Sequence, residues 1–270
     1  MTAAEPPSGA VGDSITFIGT ATTLIRLGSF TVLTDPNFLH RGQRAYLGRG
    51  LWSKRSTEPS TQPAELPRLD AVVLSHLHGD HFDRVARRGL DRSVPIITTG
   101  QAEKHLTKWG FTAHALANWE RHEQRHEGGQ TLSVESLPAI HARGLMGKLL
   151  PPVMGSLLEH RVNGEVRRRV YVSGDTLTGA HLDAIHERHP EVDVAVVHLG
   201  GTRVLLHTVT MDAGQGVDFL RRIRPRTAVP VHYDDYPVFR SPLSRFVSAA
   251  TDAGFGEALR IPARGETLEL

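Results

Sequence analysis

Residues 68–83 read RLDAVVLSHLHGDHFD, an apolar run that leads straight into three histidines and two aspartates. The continuous apolar stretch at 71–74 has the length and composition of a buried strand. His76 and His78 are two positions apart, so an extended backbone turns both side chains to one side. Gly79 permits a sharp turn there, and Asp80 and His81 then open the next segment, read as a helix. Two imidazoles can hold one divalent ion, while the carboxylate and the third imidazole can face a second. Zn2+ accepts such nitrogen and oxygen ligands.

The pattern of an apolar strand ending on a metal-ligand residue type recurs along the chain. Asp35 follows FTVLT, His141 follows LPAI, Asp175 follows VYVSG and His232 follows TAVPV. Ligands at strand ends suit a site on the rim of a sheet, because strands are rigid and the adjoining loops leave room for substrate. Residues 14–36 read as three short strands separated by glycine-containing turns. Further strands are expected at 95–100, 131–142, 166–175, 192–201 and 226–235. Helices are expected at 101–110, stopped by Gly110, and at 177–189, 210–223 and 241–254. A strand meander that gives way to alternating strands and helices predicts a layered α/β or α+β domain.

Composition narrows the chemistry. The chain has 270 residues, 39% of them hydrophobic, enough for a sizeable core. It has no cysteine, which removes disulfides, thiolate nucleophiles and cysteine-held zinc or iron–sulfur centres. A net charge of +2 with no long Lys/Arg run gives no electrostatic footprint for nucleic acid. No apolar run approaches the roughly 18 residues of a membrane span. Residues 1–13 read as a disordered tail, without the basic and apolar regions of a signal peptide. A single domain over 14–270 in the cytoplasm is the expectation, and a homo-oligomer is compatible with it. Of the 16 histidines, His181, His186 and His189 read as the solvated side and end of a helix. The HEQRH stretch at 122–126 fits the HExxH pattern of zinc proteases, but glycines 128 and 129 follow at once, where that motif needs a helix of several turns.

HLHGDH resembles the HxHxDH motif of the metallo-β-lactamase-fold hydrolases. TDP at 34–36, PAIHARG around His141, SGDT at 173–176 and VPVHYD around His232 follow in that family's order. The resemblance covers the chain from about residue 15 onward. It implies a four-layer αββα sandwich with the site at one edge of two sheets. It implies that His76, His78 and His141 bind a first metal, that Asp80, His81 and His232 bind a second, and that Asp175 bridges them. Asp35 would lie beneath the ligands and orient a ligand histidine. The cofactor would be two divalent ions per chain, Zn2+ first, with Mn2+ or Fe as alternatives. The implied reaction is hydrolysis by a metal-bridging hydroxide, with Asp80 orienting it or passing a proton.

The continuation DHFD and the stretch HTVTMDAGQGVDFL look like the branch that holds N-acyl-phosphatidylethanolamine-hydrolysing phospholipase D and ascorbate-6-phosphate lactonase, although that branch's Pro-Glu is absent here. By that resemblance His207 would face the site as a substrate contact or proton donor. A phosphodiester, or a related ester or cyclic ester, small or lipid-like, is the implied substrate. Lactone or amide cleavage, weak β-lactam hydrolysis included, is the alternative, and a metal-binding protein without turnover is a further one. Met146, Leu149, Leu150, Val153 and Met154 read either as an apolar flap beside the metals or as a loop tucked into the core. Trp52, Tyr233 and Tyr236 are further wall candidates, and Arg41, Arg44 and Arg203 are candidates to meet an anionic group.

Overall fold

The computed structural model describes residues 12–48, 50–204 and 207–270, and leaves the side chains at 145, 146, 148, 204 and 207 undescribed. Along the chain, β1 (Ser14–Gly19), β2 (Thr22–Leu27) and β3 (Phe30–Thr34) form an antiparallel meander, as expected. A small hairpin follows, β4 (Arg44–Tyr46) with β5 (Trp52–Lys54). Next come β6 (Ala71–Val73), α1 (Arg84–Gly89), β7 (Ile96–Thr98), α2 (Gly100–Lys108) and β8 (Ala113–Ala115). The second half opens with β9 (Arg121–His126), β10 (Gln130–Pro138), α3 (Gly144–Leu149), β11 (Met154–Val162) and β12 (Glu165–Val172). It continues with α4 (Ala180–Arg188), β13 (Val194–His198), the pair β14 (Arg203–Val204) and β15 (His207–Thr208), and α5 (Ala213–Ile223). It closes with β16 (Thr227–Val231), α6 (Leu243–Asp252) and β17 (Thr267–Glu269).

Among the described residues the strands form two large sheets, in the orders β17-β1-β2-β3-β6-β7-β8 and β16-β13-β12-β11-β10-β9. Each sheet is antiparallel at one side and parallel at the other. The parallel pairings are β3–β6–β7–β8 in the first sheet and β12–β13–β16 in the second. Parallel neighbours need crossovers, and α1, α2, α4 and α5 lie in those connections.

The period of two along the strands sorts their side chains into layers. Val32, Ala71, Val73 and Ile97 of the first sheet pack against Val134, Val172, Val194 and Val196 of the second. The alternate residues Leu33, Val72 and Ile96 face outward and are covered by Ala86 and Leu90 around α1 and by Ala102 and Leu106 of α2. On the far side, Ala195 and Val197 meet Leu182 and Ile185 of α4, Val217 and Leu220 of α5, and Phe246 of α6. The result is the αββα sandwich that the family resemblance implies.

Several local expectations change. Asp13, expected in the tail, is tied to the domain: it accepts a hydrogen bond from Gly28 N at 2.9 Å and pairs with Arg168 at 3.0 Å, while the expectation for residues 1–11 lies outside the described residues. The helix after HLHGDH starts at Arg84, and Asp83 caps it by accepting from the backbone N–H groups of Val85 and Ala86. His189 is buried, 4% exposed, with its Nε2 3.3 Å from Glu135, so it is no solvated helix end. Met154 belongs to the core between the sheets, because its strand pairs with β10 and turns it inward. Tyr236 is buried too and donates to Asn37 Oδ1. The HEQRH stretch is strand β9, where residues four apart are separated by about 13 Å; its two histidines cannot share an ion.

Candidate metal centre

The site lies where the parallel halves of both sheets end. Asp35 follows β3, residues 76–81 follow β6, Asp175 follows β12 and His232 follows β16. The backbone here is tightly constrained. Asp35 and His232 both adopt positive φ, 36° and 62°, a conformation that costs a non-glycine residue energy and persists only where surroundings impose it. Gly174, with φ 61°, has no room for a side chain: a Cβ would lie 2.7 Å from Met154 O. Gly79 serves a different purpose from the turn expected of it. Its φ is not left-handed, but a Cβ there would lie 2.6 Å from the backbone N of Tyr46. The β4–β5 hairpin can therefore press onto the histidine motif, and Gly79 N donates to Tyr46 O at 2.8 Å.

Four groups of three side chains, each with its ligand atoms within 4.8 Å of one another, stand at this rim among the described residues. His76, His78 and His141 form one, and Asp80, His81 and His232 another. Asp175 joins His76 and His81, one member from each, in a third. The fourth, Asp35 with His81 and His198, brings in a residue that the sequence reading missed. His198 carried the same signal as the others, since it ends the apolar strand VAVVH.

The tautomers are set from outside. His141 Nδ1 donates to Val209 O at 3.0 Å and His232 Nδ1 donates to Leu199 O at 3.1 Å, which turns each Nε2 toward the cluster, 3.4 Å from His78 Nδ1 and from Asp80 Oδ2 respectively. His76 Nε2 lies 2.9 Å from His78 Nδ1, and His141 Nε2 lies 3.4 Å from that same atom. Nitrogens held by one tetrahedral ion at about 2.0–2.1 Å stand roughly 3.3 Å apart, so this trio fits zinc. Asp80 Oδ1 and Asp175 Oδ1 are buried without a hydrogen-bond partner. Such orphaned carboxylate oxygens are costly unless a cation meets them. The donor set fits divalent metal.

Electrostatics divides the histidines. Burial, reinforced by His81 and the other imidazoles, holds His76 well below the usual histidine range, and burial with His141 brings His78 to about 4. Burial also lowers His141. For His81 burial is outweighed by the carboxylates of Asp175, Asp35 and Asp80, which raise it well above the ordinary value; His232 is raised by Asp175 and Asp80 in the same way. The first trio is thus neutral, the form in which an imidazole can bind a metal, whereas His81 and His232 favour their protons, which a cation would have to displace. Asp35 comes down to about 2, because His81 and the His198 hydrogen bond outweigh its burial.

A cavity of about 30 Å3 opens on His78, Asp80, His141 and Asp175. Leu47, Leu51, Leu150 and Val209 give it apolar walls, and Thr202 and Thr210 complete it. Among the described flap candidates Leu150 lines it, while Leu149, 41% exposed, lines a neighbouring cavity that shares His78. Trp52 is exposed and packs on Tyr46 outside the cavity, and Tyr233 packs on Phe17. Arg41, Arg44 and Arg203 do not line it. His207 and Met146 are undescribed in their side chains; the backbone of His207 pairs with Val204. A roomier cavity of about 710 Å3, bounded by Pro63, Arg68 and His126, holds none of the clustered ligands.

Residues 31–233 match the sequence model of the beta-lactamase superfamily domain. The chain is 27% identical over 244 residues to N-acyl-phosphatidylethanolamine-hydrolyzing phospholipase D 1 of Caenorhabditis elegans, covering 83% of this chain and 64% of that protein. It is 27% identical over 262 residues to a UPF0173 metal-dependent hydrolase of Opitutus terrae, covering 95% and 99% of the two chains. Among solved structures, a possible metal-dependent hydrolase from Veillonella parvula superposes with a TM-score of 0.81 at 19% identity, over 96% of this chain and 100% of that one. An isothiocyanate hydrolase from Delia radicum gut bacteria gives 0.80 at 20% identity, over 95% and 99%. With the fold, the donor set and these likenesses together, the chain belongs to the metallo-β-lactamase superfamily, among its metal-dependent hydrolases.

Proposed function

We propose that the site holds two divalent ions and hydrolyses a phosphodiester or a related ester or cyclic ester. The observation that carries this reading is the pair of three-residue groups, His76/His78/His141 and Asp80/His81/His232, joined through Asp175. Bound there, divalent ions supply Lewis acidity and bring the pKa of a coordinated water toward neutrality. The protein does the rest. The inward orientation of the His141 and His232 Nε2 atoms is fixed by Val209 O and Leu199 O. Asp80 keeps one unpartnered oxygen at the cavity, where it can orient a water or accept its proton. The phospholipid hydrolysis for which the Caenorhabditis elegans relative is named supports a phosphodiester.

The alternative, cleavage of a carboxylic ester, lactone or amide, draws support from a separate observation. Four aliphatic side chains wall the cavity, and no lysine or arginine lines it among the described residues. Elemental analysis of the purified protein, with bis-p-nitrophenyl phosphate, p-nitrophenyl acetate and a homoserine lactone as substrates, decides between them. About two metals per chain with phosphodiester cleavage is the expected result. Lactone or acetate cleavage alone selects the second reading, and protein that takes up no metal defeats both.

A further inference from the structure

We propose that the Thr202 hydroxyl is a hydrogen-bond donor to an oxygen of the substrate's electrophilic group, carbonyl or phosphoryl; this rests on the hydrolase reading above. Thr202 lines the small cavity beside Asp80, His141 and Asp175. It is 7% exposed, and its Oγ1 is buried with no hydrogen-bond partner. Buried hydroxyls are nearly always paired, so an orphan on a residue that lines the candidate site points to a partner that arrives with the ligand.

The residue is held for that purpose. Its backbone N–H donates to Thr210 Oγ1 at 2.8 Å, and its carbonyl accepts from Val209 N at 2.9 Å. Val209 in turn accepts the His141 Nδ1–H through its own carbonyl, at 3.0 Å. The turn that orients a metal-ligand histidine therefore also fixes Thr202, so the hydroxyl keeps its register with the ligands. The structure gives this side-chain oxygen no role in holding the turn, because the backbone of Thr202 and the Thr210 hydroxyl already do so. Thr210 also lines the cavity, but its Oγ1 already accepts that N–H, whereas Thr202 Oγ1 has no partner at all.

A cavity of about 30 Å3 takes about one or two waters. That is room for the reacting group alone, with its substituents lying along Leu47, Leu51 and Leu150. A hydroxyl donor beside the ligands then meets the one oxygen on which negative charge builds as the bond is attacked.

The test compares zinc-loaded wild type with Thr202→Val and Thr202→Ser. For p-nitrophenyl acetate and bis-p-nitrophenyl phosphate, Thr202→Val should lose about a hundredfold in kcat/KM, chiefly in kcat, with zinc content unchanged. Thr202→Ser should recover most of the loss. Loss on the acetate alone assigns the donor to a carbonyl oxygen, and loss on the phosphodiester alone to a phosphoryl oxygen. Acetate binding to the zinc-loaded protein, followed by calorimetry, should weaken at least about tenfold in Thr202→Val. Wild-type kcat/KM in Thr202→Val overturns the inference, as does equal loss in both variants together with lost zinc. Weakened acetate binding in a protein that hydrolyses neither ester keeps the Thr202 contact and discards the ester reading. Acetate that fails to bind the zinc-loaded wild type, with neither ester hydrolysed more slowly by Thr202→Val, discards the Thr202 contact.

Discussion

Asp35 Oδ2 and His198 Nε2 lie 3.2 Å apart, the first after a strand of one sheet and the second at the end of a strand of the other. Both side chains are buried. Asp35 Oδ2 also lies 3.3 Å from His81 Nδ1, and its Oδ1 accepts from Ser75 N at 2.7 Å and Ser75 Oγ at 2.9 Å. His198 Nδ1 meets Ser173 Oγ at 3.2 Å. One carboxylate thus ties the histidine motif of the first sheet to the second sheet and holds the His81 ring by its outer nitrogen. Asp35→Asn should lower zinc affinity about 10- to 100-fold with the fold retained, and His198→Gln should lower it less. Competition with a coloured chelator measures both, and an Asp35→Asn protein of unchanged affinity would remove Asp35 from this role.

His78→Ala and Asp175→Ala remove a member of the first trio and the joining carboxylate. Both should reduce hydrolysis to background and cut metal content while circular dichroism stays near wild type. Full turnover by either variant would show that the hydrolysed bond is attacked elsewhere.

Metal removal should also cost stability. Asp35, Asp80 and Asp175 are buried together, and a bound cation offsets their repulsion. Free zinc at a thousand times its Kd adds about 4 kcal/mol to unfolding. Thermal melts with and without chelator should separate by several degrees. Coincident melts would mean that the site holds no tight ion.

Arg55 and Asp235 form a second buried unit beneath the site. Both side chains are 0% exposed, and Arg55 Nη2 donates to Asp235 Oδ1 at 3.1 Å. Arg55 Nη1 also donates to Asn37 Oδ1 at 2.7 Å, and Asn37 Nδ2 donates to Gly79 O at 2.9 Å. Arg55→Met leaves Asp235 without this partner and should cost about 3–5 kcal/mol in urea unfolding. Adding Asp235→Asn should cost less than the two single changes summed, because they share one interaction. Strict additivity would mean that the pair is not coupled.

The layering was legible because long apolar strands and amphipathic helices repeat with clear periods. The clustered positions at the rim were legible because the segments that carry them follow apolar strands. His198 follows the same rule and was passed over, since nothing in VAVVHLGG separates a ligand-supporting histidine from a core one. Strand β9 was hidden because RHEQRH is polar on both faces, a pattern tolerable at a sheet edge, where exposed and half-buried residues alternate. Thr202 was invisible for a further reason. Its interest lies in an unpartnered atom, and only three-dimensional neighbours reveal that.

Acid should unfold the metal-free protein early, and the histidines set the direction. Eight of the described histidines are lowered, mainly by burial: His76, His78, His122, His141, His160, His181, His189 and His198. Only His81 and His232 are raised. A lowered histidine takes up its proton in the unfolded chain near pH 6.5 but resists it when folded. Its stabilisation is therefore complete above that pH and drains away as pH falls toward the folded value. The two raised residues act oppositely, stabilising below 6.5 and losing that contribution as pH rises, but they are outnumbered. Net stability of the apo protein should fall between pH 6.5 and about 4, the value to which burial and Arg143 bring His181. In that window carboxylates such as Asp35, lowered to about 2, keep their full stabilising contribution and add little to the slope until the unfolded carboxylates begin to protonate at about pH 4. His181 lies outside the ligand set, with its Nε2 3.2 Å from Thr176 Oγ1. His181→Gln should therefore flatten the slope without altering metal uptake. Urea unfolding of the chelated protein at pH 7, 6, 5 and 4.5 measures the slope, and a stability that holds level across this range would refute the neutral state assigned to the buried histidines.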